Sequence, residues 1–458
     1  MQPFPTPPTN TRLGFHYFPD TLHYREIDLK TWRPELRALG ASWITLLAPI
    51  ERAIPEFFLN GLQDAGIEPI LHFHLPLEFP SRSTPLHLLF KNYARWGIHY
   101  VALYDRPNLR LSWSPAAWAQ ADLVERFLDL YIPAAETALL EGLIPVFPPL
   151  EPGGDYWDTA FLRSALHGMQ RRNRSRLLDA LVIGAYAWAG NRPLNWGAGG
   201  PERWPGSRPY FTPQGMQDQR GFRIFDWYST ISQAELGEPR PVILLKAGSP
   251  PGDHSNPLAQ EIDQPSHTLQ NLSIARLMTA GLYGKAGQDA GGTGALVQDK
   301  FGPLESAPAE VLACNFWLLA ASTGSPEASQ AWFRTDGSRQ PIVDELRQWA
   351  ALLQIPNQPV SMKSISPNPA ASPVHPISHY LLLPLFDWGV PDWHLDAIRP
   401  FIKKHHPTIG FSLSEAALAA RVTVVGGVQA FSEDALDALR AAGCDVERMI
   451  ADGTLVAT

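Results

Sequence analysis

The residues best suited to chemistry stand at the ends of short apolar runs. Val101-Ala-Leu leads into Tyr104-Asp105-Arg106-Pro107-Asn108, Val242-Ile-Leu-Leu into Lys246, and Val182-Ile-Gly-Ala into Tyr186, with Trp188 two residues further on. His16 closes another such run. His72 and His74 lie two apart in Leu71-His-Phe-His-Leu75, a spacing that in a strand turns both imidazoles to one face. Asp105 and Glu151 are the carboxyl groups able to act as general acid and base around a water, a task that tolerates a separation of about 6.5–9.5 Å. A cation beside them, Arg106 or Lys246, would instead neutralise the acid or hold an anion. A His-x-His pair is part of a metal site, but the spacing offers no third ligand, so no metal is expected. No cofactor is expected either, because Gly426-Gly427 lacks the rest of the dinucleotide fingerprint.

These positions share a purpose if the runs are strands feeding one rim. Arg12 to Phe18, Ser42 to Leu47, Pro69 to Leu75, His99 to Tyr104, Ile144 to Phe147, Ala180 to Ala185 and Pro241 to Leu245 read as strands. Between them Leu29 to Leu39, Pro55 to Ala65, Pro85 to Trp96, Trp118 to Leu140, Trp157 to Arg174 and Phe222 to Leu236 read as helices, most with a glycine just beyond. Such alternation implies parallel strands under covering helices, and seven units in roughly 250 residues predict a (β/α)8 TIM barrel. For the eighth unit, Pro308 and Glu310 suit a helical first turn. A helix is expected over Glu310 to Ala321, then a strand over Ser329 to Phe333 and a last helix over Ile342 to Leu353. Asn191 to Gly221, Gly248 to His267 and the Gly-rich Gly284 to Ser306 read as long loops. Residues 356–376 are rich in Pro, Ser and Asn and read as a linker. It separates a barrel domain, 1–355, from a small Rossmann-like α/β domain, 377–458, with a helix over Asp392 to Lys404 and strands around Arg421 and Cys444.

Composition narrows the function. The 458 residues carry 37 basic and 45 acidic side chains, a net charge of −8, which argues against a nucleic-acid surface. The two cysteines, Cys314 and Cys444, cannot build a disulfide framework and read as buried small hydrophobes. No apolar run is long enough for a membrane span. The N-terminus lacks a basic segment and an apolar core, so a cytoplasmic location is the default expectation. Charged residues are sparse at 18%, while 15 Trp and 44 Pro suit rigid, aromatic loops on which sugars stack.

Tyr104-Asp105-Arg106-Pro107-Asn108 resembles the Asn-Glu-Pro-Asn signature of clan A glycoside hydrolases. Val182 to Tyr186 and Pro241 to Ser249 resemble that family's sixth and seventh strands, and Phe333-Arg-Thr-Asp336-Gly337 the segment after its eighth; the likeness covers residues 10–355. The resemblance implies a barrel whose general acid/base glutamate position is held by Arg106 and whose nucleophile position is held by Lys246. Asp105 stands where the motif has Asn. Retaining hydrolysis needs two carboxyl groups about 5–5.5 Å apart. The expectation is therefore a glycan-binding, glycosidase-like protein without hydrolytic activity, taking carbohydrate, and acidic carbohydrate in particular. The candidate ligand-binding residues are His16, His72, His74, Asp105, Arg106, Asn108, Tyr186, Trp188, Trp196 and Lys246, with Tyr186 expected to hydrogen-bond Lys246 or the ligand. Two alternatives stand beside this reading: a working hydrolase using Asp105 and Glu151, and a structural or assembly module of a surface complex. In the C-terminal domain, Arg421 to Arg448 is loosely similar to bacterial cell-wall-binding repeats.

Overall fold

The computed structural model describes residues 4–77, 86–280, 298–299, 302–352, 377–384, 392–405, 407–427, 431–449 and 455–456. The chain divides into two compact units, Met1–Val360 and Ser361–Thr458. The stretch read as a linker, 356–376, lies outside the described residues, as does most of the Gly-rich loop.

The first unit is a closed barrel of eight strands: β1 Leu13–His16, β2 Trp43–Leu47, β3 Glu68–Phe73, β4 Tyr100–Leu103, β5 Ile144–Phe147, β6 Val182–Trp188, β7 Val242–Gly248 and β8 Val311–Phe316. Every neighbouring pair is parallel, and β1 closes the ring against β8 with Gly14 opposite Asn315. The covering helices are α1 Glu26–Ala38, α2 Glu56–Gln63, α3 Leu86–Arg95, α4 Leu123–Leu140, α5 Asp158–Arg171, α6 Ile224–Leu236, α7 Gln264–Thr279 and α8 Pro341–Leu352.

The strands read as continuous apolar runs because both of their faces are buried. Leu13, Phe15, Ile44, Leu71, Val101 and Phe147 point outward into the layer beneath the helices. Trp43, Ile70, Tyr100, Ala102, Val146, Val182, Ile243, Leu245 and Ala313 fill the lumen. The same alternation carries His16, His72 and Tyr186 inward, one step closer to the rim. Gly14 is needed where β1 crosses close to its neighbours. A Cβ there would lie 2.6 Å from the Trp43 carbonyl oxygen and closer still to Asn315 Oδ1. Backbone cannot yield to that contact, so Gly14→Ala should lose about 1–3 kcal/mol by overpacking, read as a lower midpoint in chemical denaturation. An unchanged midpoint would mean that β1 and β2 can separate without penalty.

The eighth unit corrects the sequence reading. Glu310 to Ala321 is not a helix: Val311–Phe316 is β8, paired with β1 and β7. Val311, Ala313, Cys314, Asn315 and Phe316 are all buried, so the run has the uniform apolarity of a strand covered on both sides, which periodicity cannot separate from a buried helix. Ser329 to Phe333 is not a barrel strand. Phe333 makes only isolated bridges to Ala320 and Arg339. The helix between β7 and β8 is α7, in a segment read as loop up to His267, while the last helix, expected over Ile342 to Leu353, is α8. Helix α7 was signalled by Asp263, whose side chain accepts from Ser266 N, followed by a proline in the first turn.

The second unit is a five-stranded sheet of β9 Ile377–Leu382, β10 Thr408–Gly410, β11 Ala419–Val425, β12 Asp445–Met449 and β13 Leu455–Val456, in the order β10-β9-β11-β12-β13. The first four are parallel. β13 runs antiparallel to β12 at the sheet edge. Helices α9 Asp392–His405 and α10 Glu433–Ala441 accompany it, the latter capped by Ser432 accepting from Ala435 N. Apolar clusters lie on both faces of the sheet, around Tyr380, Val422 and Leu439 on one and around Leu381, Val425 and Met449 on the other, as in a small Rossmann-like domain.

Candidate functional site

The site is assembled where β4 ends. Tyr104 and Arg106 both take positive φ, 70° and 43°, so the chain turns sharply twice within three residues. Such conformations cost on the order of 1–3 kcal/mol each and persist only where the surroundings over-determine them. Here the Tyr104 hydroxyl donates to the Leu130 carbonyl of α4, Arg106 N donates to the Pro149 carbonyl, and the Tyr104 carbonyl accepts from His72 Nε2 at 2.9 Å. The turn delivers Asp105 and Arg106 to the mouth. The Tyr186 hydroxyl donates to Asp105 Oδ1 at 2.5 Å, and Arg106 Nε donates to Asp105 Oδ2 at 3.0 Å. Arg106 Nη1 also reaches Glu151 Oε2 at 3.3 Å.

A register shift between β6 and β7 places Lys246. Ala185 lies opposite Leu244 but Tyr186 opposite Lys246, so Leu245 fills the lumen while Lys246 also faces the mouth. Its ammonium sits 4.7 Å from the Tyr186 ring centroid and 4.3 Å from that of Trp317. The Tyr186 hydroxyl therefore serves Asp105, and Lys246 uses the ring face instead of the hydrogen bond expected from sequence. Lys246 has no hydrogen bond or ion pair to any described residue.

The electrostatics follow from burial and neighbours. Burial lowers the Lys246 ammonium to about 8, with Arg106 acting in the same direction and Asp105, Glu151 and Glu327 opposing. Burial alone would raise Asp105, but His74, His72, Lys246 and Arg106 outweigh it and hold the carboxyl well below the usual carboxylate range. Burial lowers His72 to about 3 and holds His16 well below its ordinary value, Lys246 adding to both effects. Both imidazoles are neutral at physiological pH.

A cavity of about 650 Å³ opens beside this group. Of the residues singled out in the sequence, Arg106, Glu151, Trp188 and Lys246 line it. His16, His72, His74, Asp105 and Tyr186 form the polar layer that adjoins them. Asn108 and Trp196 do neither. Asn108 is buried, pinning the loop after β4 to the loop after β5 through Glu151 N, Glu151 O and Tyr156 O. Trp196 donates to Asp218 and stands behind Arg192. Trp317, Arg192, Arg220, Asp253, Glu327 and Gln330 also line the cavity and were missed. Trp317 was hidden inside the segment read as helix, although an aromatic just past an apolar run repeats the pattern of Tyr186 and Trp188.

The fold and this rim define a (β/α)8 barrel with a charged, aromatic mouth at the carboxyl ends of its strands, where barrel sites are built. No protein-family profile and no curated protein matches the sequence. Among solved structures the chain is similar to a family 39 glycoside hydrolase from Bacteroides cellulosilyticus WH2, at 12% identity over 76% of this chain and 64% of that one, TM-score 0.48. It thus spans less than two thirds of that relative. It is also similar to a family 128 endo-β-1,3-glucanase from Sorangium cellulosum, at 12% identity over 76% and 99% of the two chains, TM-score 0.39. A third is a β-galactosidase from Rahnella sp. R3, at 11% identity over 98% and 74%, TM-score 0.35.

Proposed function

We propose that the barrel mouth binds acidic carbohydrate and does not hydrolyse it. The observation that carries this reading is Lys246: an ammonium without an anionic partner among the described residues, held on two aromatic faces in the same cavity as Arg106. A carboxylate or sulfate on a sugar supplies the missing partner, while Trp188 and Trp317 offer apolar faces for the sugar ring. Arg106 shares its charge between Asp105 and Glu151 and presents what remains of its guanidinium fork to the cavity. The open, Trp-lined cleft favours binding over a purely structural role, and the ionised, twice-bonded Asp105 does not favour catalysis.

A screen of acidic and neutral glycans at two salt concentrations tests this. Acidic glycans should bind at low salt and weaken as salt rises. Lys246→Ala and Arg106→Ala should each weaken them on the order of tenfold, the worth of one charge-assisted hydrogen bond. Equal binding of acidic and neutral glycans, or binding of neither, would overturn the reading.

A further inference from the structure

His72 and His74 have a third partner that spacing along the chain did not offer. β3 and β4 pair with His72 opposite Ala102, and the left-handed turn at Tyr104 swings Asp105 back toward the histidines. One ligand atom from each of His72, His74 and Asp105 lies within 4.8 Å of the others. We propose that these three residues bind a divalent first-row transition-metal ion. The proposal does not depend on the ligand of the mouth being a sugar.

His72 is set up as a ligand. Its Nε2 donates to the Tyr104 carbonyl, which fixes the tautomer and leaves the lone pair on Nδ1. Nδ1 is buried and has no hydrogen-bond partner. Metal-bound histidines show the same arrangement, with the distal N–H held by a carbonyl or carboxylate. His16 gives a second, independent observation. It is fully buried in the same polar layer and neither of its ring nitrogens has a partner. Buried polar atoms are seldom left this way without a ligand or water to meet them. His74 reaches the solvent at the rim and gives an ion its entry path. Each Asp105 oxygen makes one hydrogen bond to the protein and keeps a further lone pair.

Imidazole nitrogens with one carboxylate suit Zn²⁺, Co²⁺, Ni²⁺ or Fe²⁺, and not Mg²⁺ or Ca²⁺, which take oxygen ligands. Two cations stand close by. Arg106 is paired with Asp105 and Glu151; Lys246 makes no direct ion pair with a described residue, and its charge opposes the ion.

The test uses the full chain, stripped with a chelator and titrated by calorimetry with Zn²⁺, Co²⁺ and Mg²⁺. One Zn²⁺ per chain, a visible Co²⁺ absorption band and no Mg²⁺ heat are expected. His74→Ala alters an exposed position, so the fold survives it. That variant and Asp105→Asn should each weaken Zn²⁺ by about tenfold or more. Lys246→Met, by removing a repelling charge, should tighten it. No stoichiometric Zn²⁺ binding, or binding unchanged in both His74→Ala and Asp105→Asn, as adventitious capture elsewhere among the 14 histidines would give, overturns the proposal.

Discussion

Asp158→Ala should destabilise the barrel by about 3–5 kcal/mol, a loss in the range reserved for broken buried polar networks. Asp158 opens α5 with its carboxyl fully buried. Oδ1 accepts from Gly153 N at 2.9 Å and from Gln219 Nε2 at 2.6 Å, and Oδ2 accepts from the Tyr228 hydroxyl at 3.0 Å. One carboxyl thus ties the loop after β5, whose Gly153 walls the cavity, to the loop before α6 and to α6 itself. Alanine would strand three donors away from water. Asparagine would not. Its carbonyl keeps the first two hydrogen bonds, and its amide can donate to Tyr228 once that hydroxyl turns.

The two variants also separate charge from connectivity. Burial outweighs the hydrogen bonds from Gly153, Gln219 and Tyr228 and raises Asp158 from 3.8 to about 6. The folded state therefore binds the proton more tightly than the unfolded one. The stability this confers is fully present below about pH 4 and is lost as pH rises through about 6, a change on the order of 3 kcal/mol. Asp158→Asn has no proton to lose, so its stability relative to the unaltered protein should improve by that amount between pH 4 and pH 7. Urea unfolding of the three proteins across this range decides. A difference between the unaltered protein and Asp158→Asn that stays flat with pH would refute the charge argument, and an alanine loss below about 1 kcal/mol would refute the network.

How much of this was legible depended on whether the physics was local. The strands of the first seven units could be read because each is a short apolar run with a helix start or glycine stop nearby. Gly237, for example, ends α6 in the left-handed region with its N–H on the Gln233 carbonyl, as its place after Leu236 suggests. The last helix was legible, but the eighth strand was missed because Val311–Phe316, buried on both faces, has no period, and the start of α7 at Asp263 was overlooked. At the site, Arg106 and Lys246 were singled out because their strand ends resemble those that carry the two catalytic positions of clan A glycoside hydrolases, and both do line one cavity. Arg106 pairs with Asp105, as its place beside that carboxyl suggested, but the other contacts were not readable. The Tyr186–Asp105 hydrogen bond depends on β4 and β6 meeting across the mouth, the seat of Lys246 on a register shift in β7, and the approach of Asp105 to His72 on a left-handed turn at a tyrosine. None of these has a pattern in the local sequence. Asn108 and Trp196 show the converse. Both are conspicuous in sequence, and both have their polar atoms bonded within the protein, fastening loops.

The purified protein should not hydrolyse aryl glycosides or polysaccharides above the buffer rate, a shortfall of at least about 10⁶-fold against an ordinary enzyme. Hydrolysis needs one carboxyl protonated to release the leaving oxygen and a second ionised to attack carbon or activate water. Asp105 and Glu151, the two carboxyl groups joined to Arg106, do not divide these roles. Asp105 is ionised throughout the working range, and both of its oxygens accept hydrogen bonds that would have to be broken for it to act. Glu151 is joined to the same guanidinium, and Arg106 has no proton to release near neutral pH. Burial brings the Lys246 ammonium down to about 8, but an amine is a poor acceptor for a glycosyl group. Acidification does not rescue the reaction, because Asp105 stays ionised far below the pH at which Asp158 has already taken up its proton. A pH series of turnover with fluorogenic glycosides, run on the unaltered protein beside Asp105→Asn and Glu151→Gln, makes the decision. Background rates in all three at every pH fit a binding site. Turnover that is present in the unaltered protein and vanishes in either variant would establish Asp105 and Glu151 as a working acid and base, and would overturn the proposed function at its root.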